Sequence, residues 1–262
     1  MAIYIYCQRK STSALELVRG LGATRLRAFD GMHFWDKKKR FAVVPGDVVI
    51  CWGASIPELE GVHVLNSMQA PLDKFKELET LYHKNVRCIS HTKSDPGEMG
   101  DSLMPRSVHH VGGLDLLSPM KTGDYFVYKD DFINEYRIHS FNGKSIRAGI
   151  KVVRDGFTLV PNASDWKPNA NLAHPWVKSY EGGWRVSYDG FASTPALRKL
   201  AKSAVAALGL TFGAVDIGER RTDGRLVVFE VNRAPGIEGG STASYVRAIT
   251  KWLKGEEKPD ED

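Results

Sequence analysis

The chain has 262 residues, of which 42% are hydrophobic and 26% charged, and its formal net charge is +5. These values are ordinary for a folded globular protein, and they exclude a collagen-like, coiled-coil or largely disordered chain. No window holds the roughly 18 apolar residues that a membrane span needs, and three widely spaced cysteines predict neither a metal site nor a disulfide framework, which favours a reducing, intracellular location.

The charge is unevenly distributed along the chain. Residues 256–262 hold five acidic side chains against one lysine, so the rest of the chain is more basic than the whole. A basic body favours anionic partners such as nucleotides, phosphates or nucleic acid, although a mildly basic solvated surface would give the same composition.

The first 90 residues alternate between strand and helix patterns. Ser13 and Glu16 form a capping box that predicts a helix ending near Gly20 or Gly22. Apolar side chains at helical spacing predict a second helix around residues 72–82. The predicted strands are 3–7, 47–53 and 87–89. This β-α-β order indicates a small α/β layer domain.

The remaining two thirds predict mainly antiparallel strands. Residues 91–123 are rich in Gly, Pro, Ser and Asp, and residues 155–182 follow no regular pattern. The predicted strands are 125–129, 134–141, 145–153, 184–188, 212–217 and 226–231. Asn142 and Gly143 predict a type I′ turn. Thr194 followed by Pro195 predicts the start of one helix, and Ser241 predicts the cap of another.

Three polar side chains interrupt the last two apolar strands. Asp216 lies in the first strand, and Glu230 and Asn232 lie in the second. Glu230 and Asn232 share a face because they are two residues apart. Oxygen-bearing side chains are costly to bury without partners, and Mg²⁺ takes such oxygens as ligands. The alternative is that Asp216 and Glu230 pair with Arg or Lys on a half-exposed sheet.

The loop between these two strands decides whether the three side chains meet. A two-residue Asp-Gly loop would place Asp216 opposite Val231, on the wrong face. A three-residue loop over 222–224, with Gly224 in the left-handed conformation, places Asp216 opposite Glu230. We therefore expect the three-residue loop.

The sequence around these residues resembles the ATP-grasp superfamily. Residues 230–239 read E-V-N-R-A-P-G-I-E-G, which is similar to the E-V-N-x-x-P-G-x-E-G pattern of the ligases that add glutamate to ribosomal protein or to small metabolites. The pattern also resembles phage-encoded ATP-grasp proteins. The resemblance implies that Asp216, Glu230 and Asn232 bind two Mg²⁺ ions that bridge the phosphates of ATP.

The resemblance also implies a fold and a division of the chain. The fold class is α/β (α+β), the ATP-grasp fold with a small N-terminal α/β domain, a lid subdomain and a C-terminal antiparallel-sheet subdomain. The corresponding segments are 1–90, 91–130 with a Gly-rich loop, and 131–255, followed by an acidic tail over 256–262.

An arginine strand lies upstream of the acidic hairpin. Glu135 and Arg137 are similar to the family's acidic-x-Arg strand, whose arginine meets the γ-phosphate or the acyl-phosphate. Lys151 and Arg154 lie where related enzymes place a cation near the transferred phosphate. The alternative for Arg137 is a surface pair with Glu135. His139 shares this face, and we expect it to be a polar neighbour and not a base.

The resemblance also implies residues that bind the nucleotide. The hinge of the family matches Phe126 to Tyr128 in position, though not in residue type, and a lysine follows it. Lys74 matches a first nucleotide lysine at the start of a helix, and an arginine stands where the family has a second lysine. The implied nucleotide-binding residues are Lys74, Arg106, Gly112, Gly113, Phe126, Val127, Tyr128 and Lys129.

The function that the resemblance implies is ATP-dependent carboxylate–amine ligation through an acyl-phosphate, with release of ADP and phosphate. The sequence does not identify the acid or the amine, and an amino acid, a peptide or a modified nucleic acid could each be a substrate. One alternative is a phosphotransferase on the same scaffold. The other is a basic nucleic-acid-binding protein, although no nucleic-acid motif is present in the sequence.

Overall fold

The computed structural model of the chain describes residues 1–8, 10–30, 33–36, 39–67, 73–93, 103–108, 123–168, 170–237 and 239–256. Within these ranges, no helix has both the length and the apolar character needed to cross a membrane. The described residues form three main sheets and four helices.

The N-terminal sheet is parallel and has four strands in the order β2-β1-β6-β7. Its strands are β1 (Ile3–Tyr6), β2 (Thr24–Leu26), β6 (Val48–Cys51) and β7 (His63–Leu65). Helix α1 (Thr12–Leu21) crosses from β1 to β2. A small antiparallel sheet of β3 (Ala28–Phe29), β4 (Phe34–Asp36) and β5 (Lys39–Phe41) lies between β2 and β6 in sequence. All four residues of β6 are buried, as an apolar run in a central parallel strand predicts.

A three-stranded antiparallel sheet follows, in the order β8-β10-β9. Its strands are β8 (His91–Thr92), β9 (Leu103–Arg106) and β10 (Tyr125–Tyr128), and helix α2 (Lys74–His83) precedes them. Asp73 caps α2 by accepting a hydrogen bond from the Lys76 N–H, which makes Lys74 the first helical residue.

The largest sheet is antiparallel and has the order β15-β12-β11-β16-β17. Its strands are β11 (Phe132–Phe141), β12 (Lys144–Val153), β15 (Trp184–Ser187), β16 (Phe212–Arg220) and β17 (Leu226–Asn232). Two short strands, β13 (Thr158–Leu159) and β14 (Leu172–Ala173), and a single 3₁₀ turn (Ala163–Asp165) lie between β12 and β15. Asn142 and Gly143 both have positive φ in the β11–β12 turn, which confirms the predicted type I′ signal.

Two helices cover the large sheet. Helix α3 (Pro195–Ala207) begins at the predicted cap Thr194 and packs through Leu197, Ala201 and Val205 on the face that carries Ile138 and Val215. Helix α4 (Gly240–Leu253) packs its Tyr245 and Ile249 in a core that also holds Trp52 and Phe212. The N-terminal sheet and the large sheet therefore share one hydrophobic core.

The residues predicted to cap α1 and α4 have other roles in the structure. Ser11 caps α1, while the hydroxyl of Ser13 accepts a hydrogen bond from the Ile237 N–H at 3.0 Å and Glu16 accepts one from the Thr242 hydroxyl. Ser241 lies inside the first turn of α4, where it is buried. The capping prediction was wrong because tertiary partners far along the chain use these side chains, which no local pattern reports.

The strand predicted over 87–89 is a single parallel bridge between Cys88 and Val228. The Ile89 N–H donates to the Val228 carbonyl, and the Val228 N–H donates to the Arg87 carbonyl. This short segment therefore extends the large sheet beyond β17 and ties it to the end of α2.

The β16–β17 hairpin has the predicted facing pair but not the predicted loop. Asp216 lies opposite Glu230, and Gly224 has φ +66°. The turn contains four residues, 221–224, because the Arg220 N–H donates to the Arg225 carbonyl at 2.9 Å. The side chain of Asp223 accepts a hydrogen bond from the Arg225 N–H and stabilises this longer turn.

A β-bulge restores the register that the longer turn would lose. Ile217 pairs with Val228 and Asp216 pairs with Glu230, so Phe229 is an extra residue on β17. Phe229 and Glu230 then lie on the same side of the sheet, as the two residues of a bulge commonly do. Without the bulge, Asp216 would face Phe229, and Glu230 would point to the core under α3.

Candidate functional site

A cavity of about 610 Å³ lies between the β8-β10-β9 sheet and the large sheet. One wall is apolar and comes from α2, β9, β10 and β17. The floor is charged and comes from β11, β12, β16 and β17. The apolar residues include Leu78, Ile89, Met104, Tyr125, Val127 and Phe229, and the charged ones include Glu135, Arg137, Lys151, Asp216 and Glu230.

Asp216 is the most buried carboxylate of the floor, with 4% of its surface exposed. Arg137 lies directly opposite on β11 and donates two hydrogen bonds to it, both at 2.7 Å. The Lys151 Nζ lies 3.7 Å from the same carboxylate. Burial alone would raise the pKa of Asp216, but Arg137 and Lys151 outweigh it and hold the pKa below its usual value. Asp216 therefore stays ionised.

Glu230 forms the second part of the floor, and Asn232 lies beside it on the same face of the sheet. The Asn232 amide donates to the Glu230 carboxylate at 2.7 Å, which confirms that the two side chains share a face. The Lys74 Nζ, from the first turn of α2, lies 3.2 Å from the other Glu230 oxygen. Burial lowers the pKa of Lys74, but Glu230 and Glu77 raise it by more, so Lys74 stays protonated.

Glu135 pairs with lysines and not with Arg137. Its carboxylate lies 2.9 Å from the Lys151 Nζ and 3.9 Å from the Lys178 Nζ. The alternative of an Arg137–Glu135 surface pair is wrong, because Asp216 on the neighbouring strand takes the guanidinium. Glu135 and Arg137 both line the cavity, as the i and i+2 spacing predicts.

His139 lies on the same face of β11 but below the cavity floor. It is fully buried, and its ring nitrogens lie 2.9 Å from the Tyr188 hydroxyl and 3.3 Å from the Tyr245 hydroxyl. Burial, together with the nearby charge of Arg137, lowers the pKa of His139 to about 3. His139 is therefore neutral and acts as a hydrogen-bonding neighbour, as expected.

The structure brings some of the predicted nucleotide residues to the cavity and leaves others outside it. Lys74, Arg106 and Val127 line the cavity. Phe126 and Tyr128 alternate with Val127 and are not among the described lining residues. The Lys129 Nζ lies 5.9 Å from the centre of the Trp176 ring at the cavity mouth. Gly112 and Gly113 lie outside the described residues.

Arg154 is set apart from the other predicted cations. Its guanidinium lies between the rings of Phe157 and Tyr180, at 4.3 and 4.0 Å, and donates to the Tyr180 carbonyl. It is not among the described residues that line the cavity. Lys178, in contrast, lines the cavity, and its Nζ lies 5.2 Å from the centre of the Trp184 ring.

Known structures share this arrangement of sheets. No protein-family model and no curated protein matches the sequence. The ATP-grasp ligase PsnB complexed with a minimal precursor matches 98% of this chain and 99% of its own, with TM-score 0.64 and 12% identity. The macrocyclase MdnC bound with precursor peptide MdnA from Microcystis aeruginosa MRC matches 97% and 100%, with TM-score 0.59 and 11% identity. D-alanine–D-alanine ligase from Bacillus anthracis matches 98% and 100%, with TM-score 0.57 and 15% identity.

The chain has the ATP-grasp fold. The predicted fold class is confirmed, and at these identities the likeness is one of fold. The cavity lies between the β8-β10-β9 sheet and the large antiparallel sheet, with the charged hairpin at its floor.

The oxygen-bearing side chains at the cavity floor fit a hard divalent cation. Asp216 and Glu230 line the cavity, and Asn232 lies on the same face of the sheet and bonds to Glu230, so the three side chains offer oxygen atoms of the kind that Mg²⁺ takes as ligands. Among the described residues, no three His, Cys, Asp or Glu side chains cluster as a metal site. The set therefore consists of two carboxylates and an amide. Arg137 pairs with Asp216, and Lys74 pairs with Glu230. The alternative prediction, that these carboxylates pair with Arg or Lys, therefore also describes part of the geometry, although the pairs lie in a cavity and not on a half-exposed sheet.

Two residues at or beside the candidate site were not predicted from the sequence. Lys178 lies in the segment 155–182, where no strand or helix pattern fixed its position. Glu77 lies one helical turn after Lys74 and is 4% exposed. A glutamate three residues after a lysine is typical of an exposed ion pair, so the sequence carried no signal that Glu77 is buried.

Proposed function

We propose that the protein is an ATP-dependent carboxylate–amine ligase. The observation that carries the proposal is the cavity floor, where Asp216 and Glu230 lie among Lys74, Arg137 and Lys151 beneath an apolar wall. Asn232 lies beside this floor and bonds to Glu230. Cations and carboxylates arranged in this way suit phosphoryl transfer, in which catalysis is mainly positioning and charge stabilisation. The ATP-grasp fold supports the same reaction class.

The apolar wall is the proposed place of the adenine base. Tyr125 and Val127 of β10 and Met104 of β9 face the cavity from one side, and Phe229 faces it from the large sheet. The backbone of residues 126–128, followed by Lys129, would contact the edge of the base. Lys74 and Arg106 would bind the phosphates, together with the loop at Gly112 and Gly113. Phe126 and Tyr128 contribute through their backbone because their side chains do not line the cavity.

Asp216, Glu230 and Asn232 would hold Mg²⁺, and the resemblance implies two ions. When bound, the metal neutralises phosphate charge and holds the nucleotide phosphates in place. Arg137 would then exchange Asp216, and Lys74 would exchange Glu230, for phosphate oxygens. Such an exchange keeps every buried charge compensated before and after nucleotide binding.

The proposed reaction has two steps. A carboxylate oxygen of the acid attacks the γ-phosphorus of ATP, the bond to ADP breaks, and an acyl-phosphate forms. The amine nitrogen then attacks the acyl carbon, phosphate leaves, and the nitrogen loses a proton to give the amide. Arg137 and Lys151 stabilise the transferring phosphoryl group by donating to its oxygens. Arg154 is not among the described residues that line the cavity, so we propose Lys151, and not Arg154, for this role.

We also propose the division of the chain that the resemblance implied. Residues 1–90 would form the N-terminal domain, residues 91–130 a lid over the nucleotide, and residues 131–255 the subdomain that binds the metal. The substrates would be an acid and an amine inside the cell. Because PsnB and MdnC are complexed with precursor peptides, a peptide is the first substrate to test.

The proposal is tested by ADP release. The protein is incubated with Mg²⁺ and ATP and with panels of amino acids, peptides and nucleic acids, and products are analysed by mass spectrometry. We expect ADP release that needs both an acid and an amine, with a product lighter by one water than the two substrates together. A phosphorylated acid as the final product, with no amide formed when an amine is present, would indicate the phosphotransferase. Salt-sensitive DNA binding without ATP turnover would indicate the nucleic-acid-binding protein.

Two matched variants make this assay specific. Glu230→Gln keeps the size of the side chain and should abolish turnover, because it removes the negative charge that the carboxylate offers to the metal. Glu219→Gln changes a carboxylate of the same hairpin that accepts hydrogen bonds from Asn134 and Tyr136 outside the cavity floor. It should retain turnover. Equal activity of Glu230→Gln and the wild type would contradict the proposed site.

A further inference from the structure

Glu77 connects helix α2 to the strand that carries two of the proposed metal ligands. One of its oxygens accepts a hydrogen bond from the Val231 N–H at 2.7 Å. The other oxygen lies 3.6 Å from the Lys74 Nζ. Val231 lies between Glu230 and Asn232, so Glu77 fixes the first turn of α2 against that part of β17.

Glu77 is not placed to be a ligand itself. It is 4% exposed and is not among the described residues that line the cavity. One oxygen is committed to a backbone N–H, and the other faces Lys74. A buried carboxylate with these two partners acts on other groups and does not contact a nucleotide.

Lys74 has two carboxylate partners, and only one of them belongs to the proposed metal site. Its Nζ lies 3.2 Å from Glu230 and 3.6 Å from Glu77. A divalent cation bound by Glu230 would repel Lys74 and would neutralise the negative charge of Glu230, which is the nearer partner of the lysine. The carboxylate of Glu77 is then the remaining counter-charge at Lys74 among the ion pairs that the structure describes.

We propose that Glu77 is a positioning residue of the nucleotide site, which retains Lys74 at the phosphates after Glu230 has passed to the metal. The inference rests on the proposed function, because it requires that Lys74 binds phosphate and Glu230 binds metal. It adds a residue that touches neither the metal nor the nucleotide and acts through Lys74.

The test is a double-mutant cycle read by calorimetric titration of Mg–ATP. Glu77→Gln keeps the acceptor for the Val231 N–H but removes the charge that holds Lys74. Lys74→Met removes the cation and keeps the length of the side chain. We expect each single variant to weaken ATP binding by roughly tenfold, the equivalent of about 1.4 kcal/mol, and the double variant to bind no more weakly than Lys74→Met.

The control is a carboxylate on the same helix. Glu79 pairs with His91 and His83, away from the cavity, so Glu79→Gln should bind Mg–ATP as the wild type does. AMP is a second probe. The Glu77→Gln variant should bind AMP as the wild type does if Lys74 serves the phosphates beyond the first one. A general loosening of the fold would weaken both nucleotides.

The outcomes separate this inference from the proposed function. No nucleotide binding by the wild type would overturn both. Binding by the wild type and equal binding by Glu77→Gln would overturn only the role of Glu77. Additive losses in the double variant would also overturn it, because Glu77 would then act independently of Lys74.

Discussion

At the scale of single residues, the site is a set of buried charges that balance one another. Asp216 is held by Arg137 and Lys151, and Glu230 is held by Lys74. The two carboxylates differ in exposure, since the side chain of Asp216 is 6% exposed and that of Glu230 is 25% exposed. Removal of the two carboxylates should therefore have different effects on stability.

Asp216→Ala should lower the free energy of unfolding by about 3–5 kcal/mol, because it leaves the buried guanidinium of Arg137 without its counter-charge. Glu230→Ala should cost about 1 kcal/mol, because its ion pair with Lys74 is partly solvated. Urea denaturation of both variants measures the difference. Asp216→Asn, which keeps an oxygen acceptor for Arg137, is the variant suited to activity assays. Equal losses for the two alanine variants would contradict this account of the charges.

His139 should make stability depend on pH. Burial lowers its pKa to about 3, whereas an unfolded histidine titrates near 6.5. Between these values the unfolded state takes up a proton that the folded state does not, so stability falls as the pH falls below about 6.5, by up to about 1.4 kcal/mol per pH unit.

The variant His139→Gln should reduce this slope, because glutamine can bond to the Tyr188 and Tyr245 hydroxyls but does not titrate. The measurement is urea denaturation at pH 6.5 and pH 5. His174 provides a comparison, since burial also lowers its pKa. Equal slopes in the wild type and His139→Gln would show that His139 is protonated in the folded protein.

The sequence predicted the floor residues because their chemistry breaks an apolar pattern. Asp216, Glu230 and Asn232 stand out in strands that are otherwise apolar, and the structure places all three on one face. Lys178 and Glu77 could not be predicted in this way. A lysine in an irregular segment and a glutamate on an amphipathic helix look exposed until tertiary packing buries them.

At the scale of elements, the β-bulge at Phe229 is the feature that assembles the site. It places Phe229 and Glu230 on the same side of β17, so one residue contributes to the apolar wall and the next to the charged floor. Gly218 of β16 leaves the room for the Phe229 ring. A Cβ atom at this position would lie 2.3 Å from Phe229 Cζ and 2.7 Å from Phe132 Cδ1.

Gly218→Ala should therefore displace both rings and lower the free energy of unfolding by about 1–3 kcal/mol. It should also weaken ATP binding, because the Phe229 ring would move into the cavity. Gly236→Ala is the stability control, since its added methyl group would meet nothing within 4 Å. Thermal unfolding of the two variants tests this difference. A normal melting temperature for Gly218→Ala would contradict the proposed role of the ring.

The pairing of Asp216 with Glu230 across the hairpin was predictable, but the length of the turn and the β-bulge were not. The glycine at 224 and the parity of the carboxylates favoured a three-residue loop. The protein uses four residues and a bulge instead, because the Asp223 side chain stabilises the longer turn. The two solutions give the same pair and cannot be distinguished by residue alternation, since a turn and a bulge each shift the register by one residue.

At the scale of the whole molecule, the N-terminal sheet and the large sheet are joined by one core. Trp52 follows β6, is 1% exposed and stacks on Phe212 of β16 with ring centres 5.3 Å apart. Its ring also meets Tyr245 of α4 edge-on. The parallel sheet and the sheet that carries the site should therefore unfold together.

Trp52→Ala should lower the free energy of unfolding by about 3–5 kcal/mol, which is typical of a cavity left by a large aromatic side chain. Native-state hydrogen exchange should show that the opening free energies of β6 and β16 fall by the same amount. Loss of protection in β6 alone would show that the N-terminal sheet is an independent unit.

The strands of the large sheet and the helices were predictable because apolar runs and turn residues set them, whereas β2 and β7 of the N-terminal sheet and the small sheet of β3, β4 and β5 were not predicted. Two tertiary links of the fold were not predictable either. Ser13 bonds to Ile237, and Trp52 packs on Phe212, in both cases across more than half of the chain. Single-chain patterns report local conformation, and they do not report which distant surfaces meet.

We propose that the charged floor of the cavity binds the phosphates of ATP together with Mg²⁺. Calorimetric titration of ATP, with and without Mg²⁺, into the wild-type protein and into Asp216→Asn is the decisive measurement. We expect Mg²⁺-dependent binding by the wild type and a large loss of affinity in the variant. Absence of binding with and without Mg²⁺, or equal binding by Asp216→Asn, would contradict the proposal.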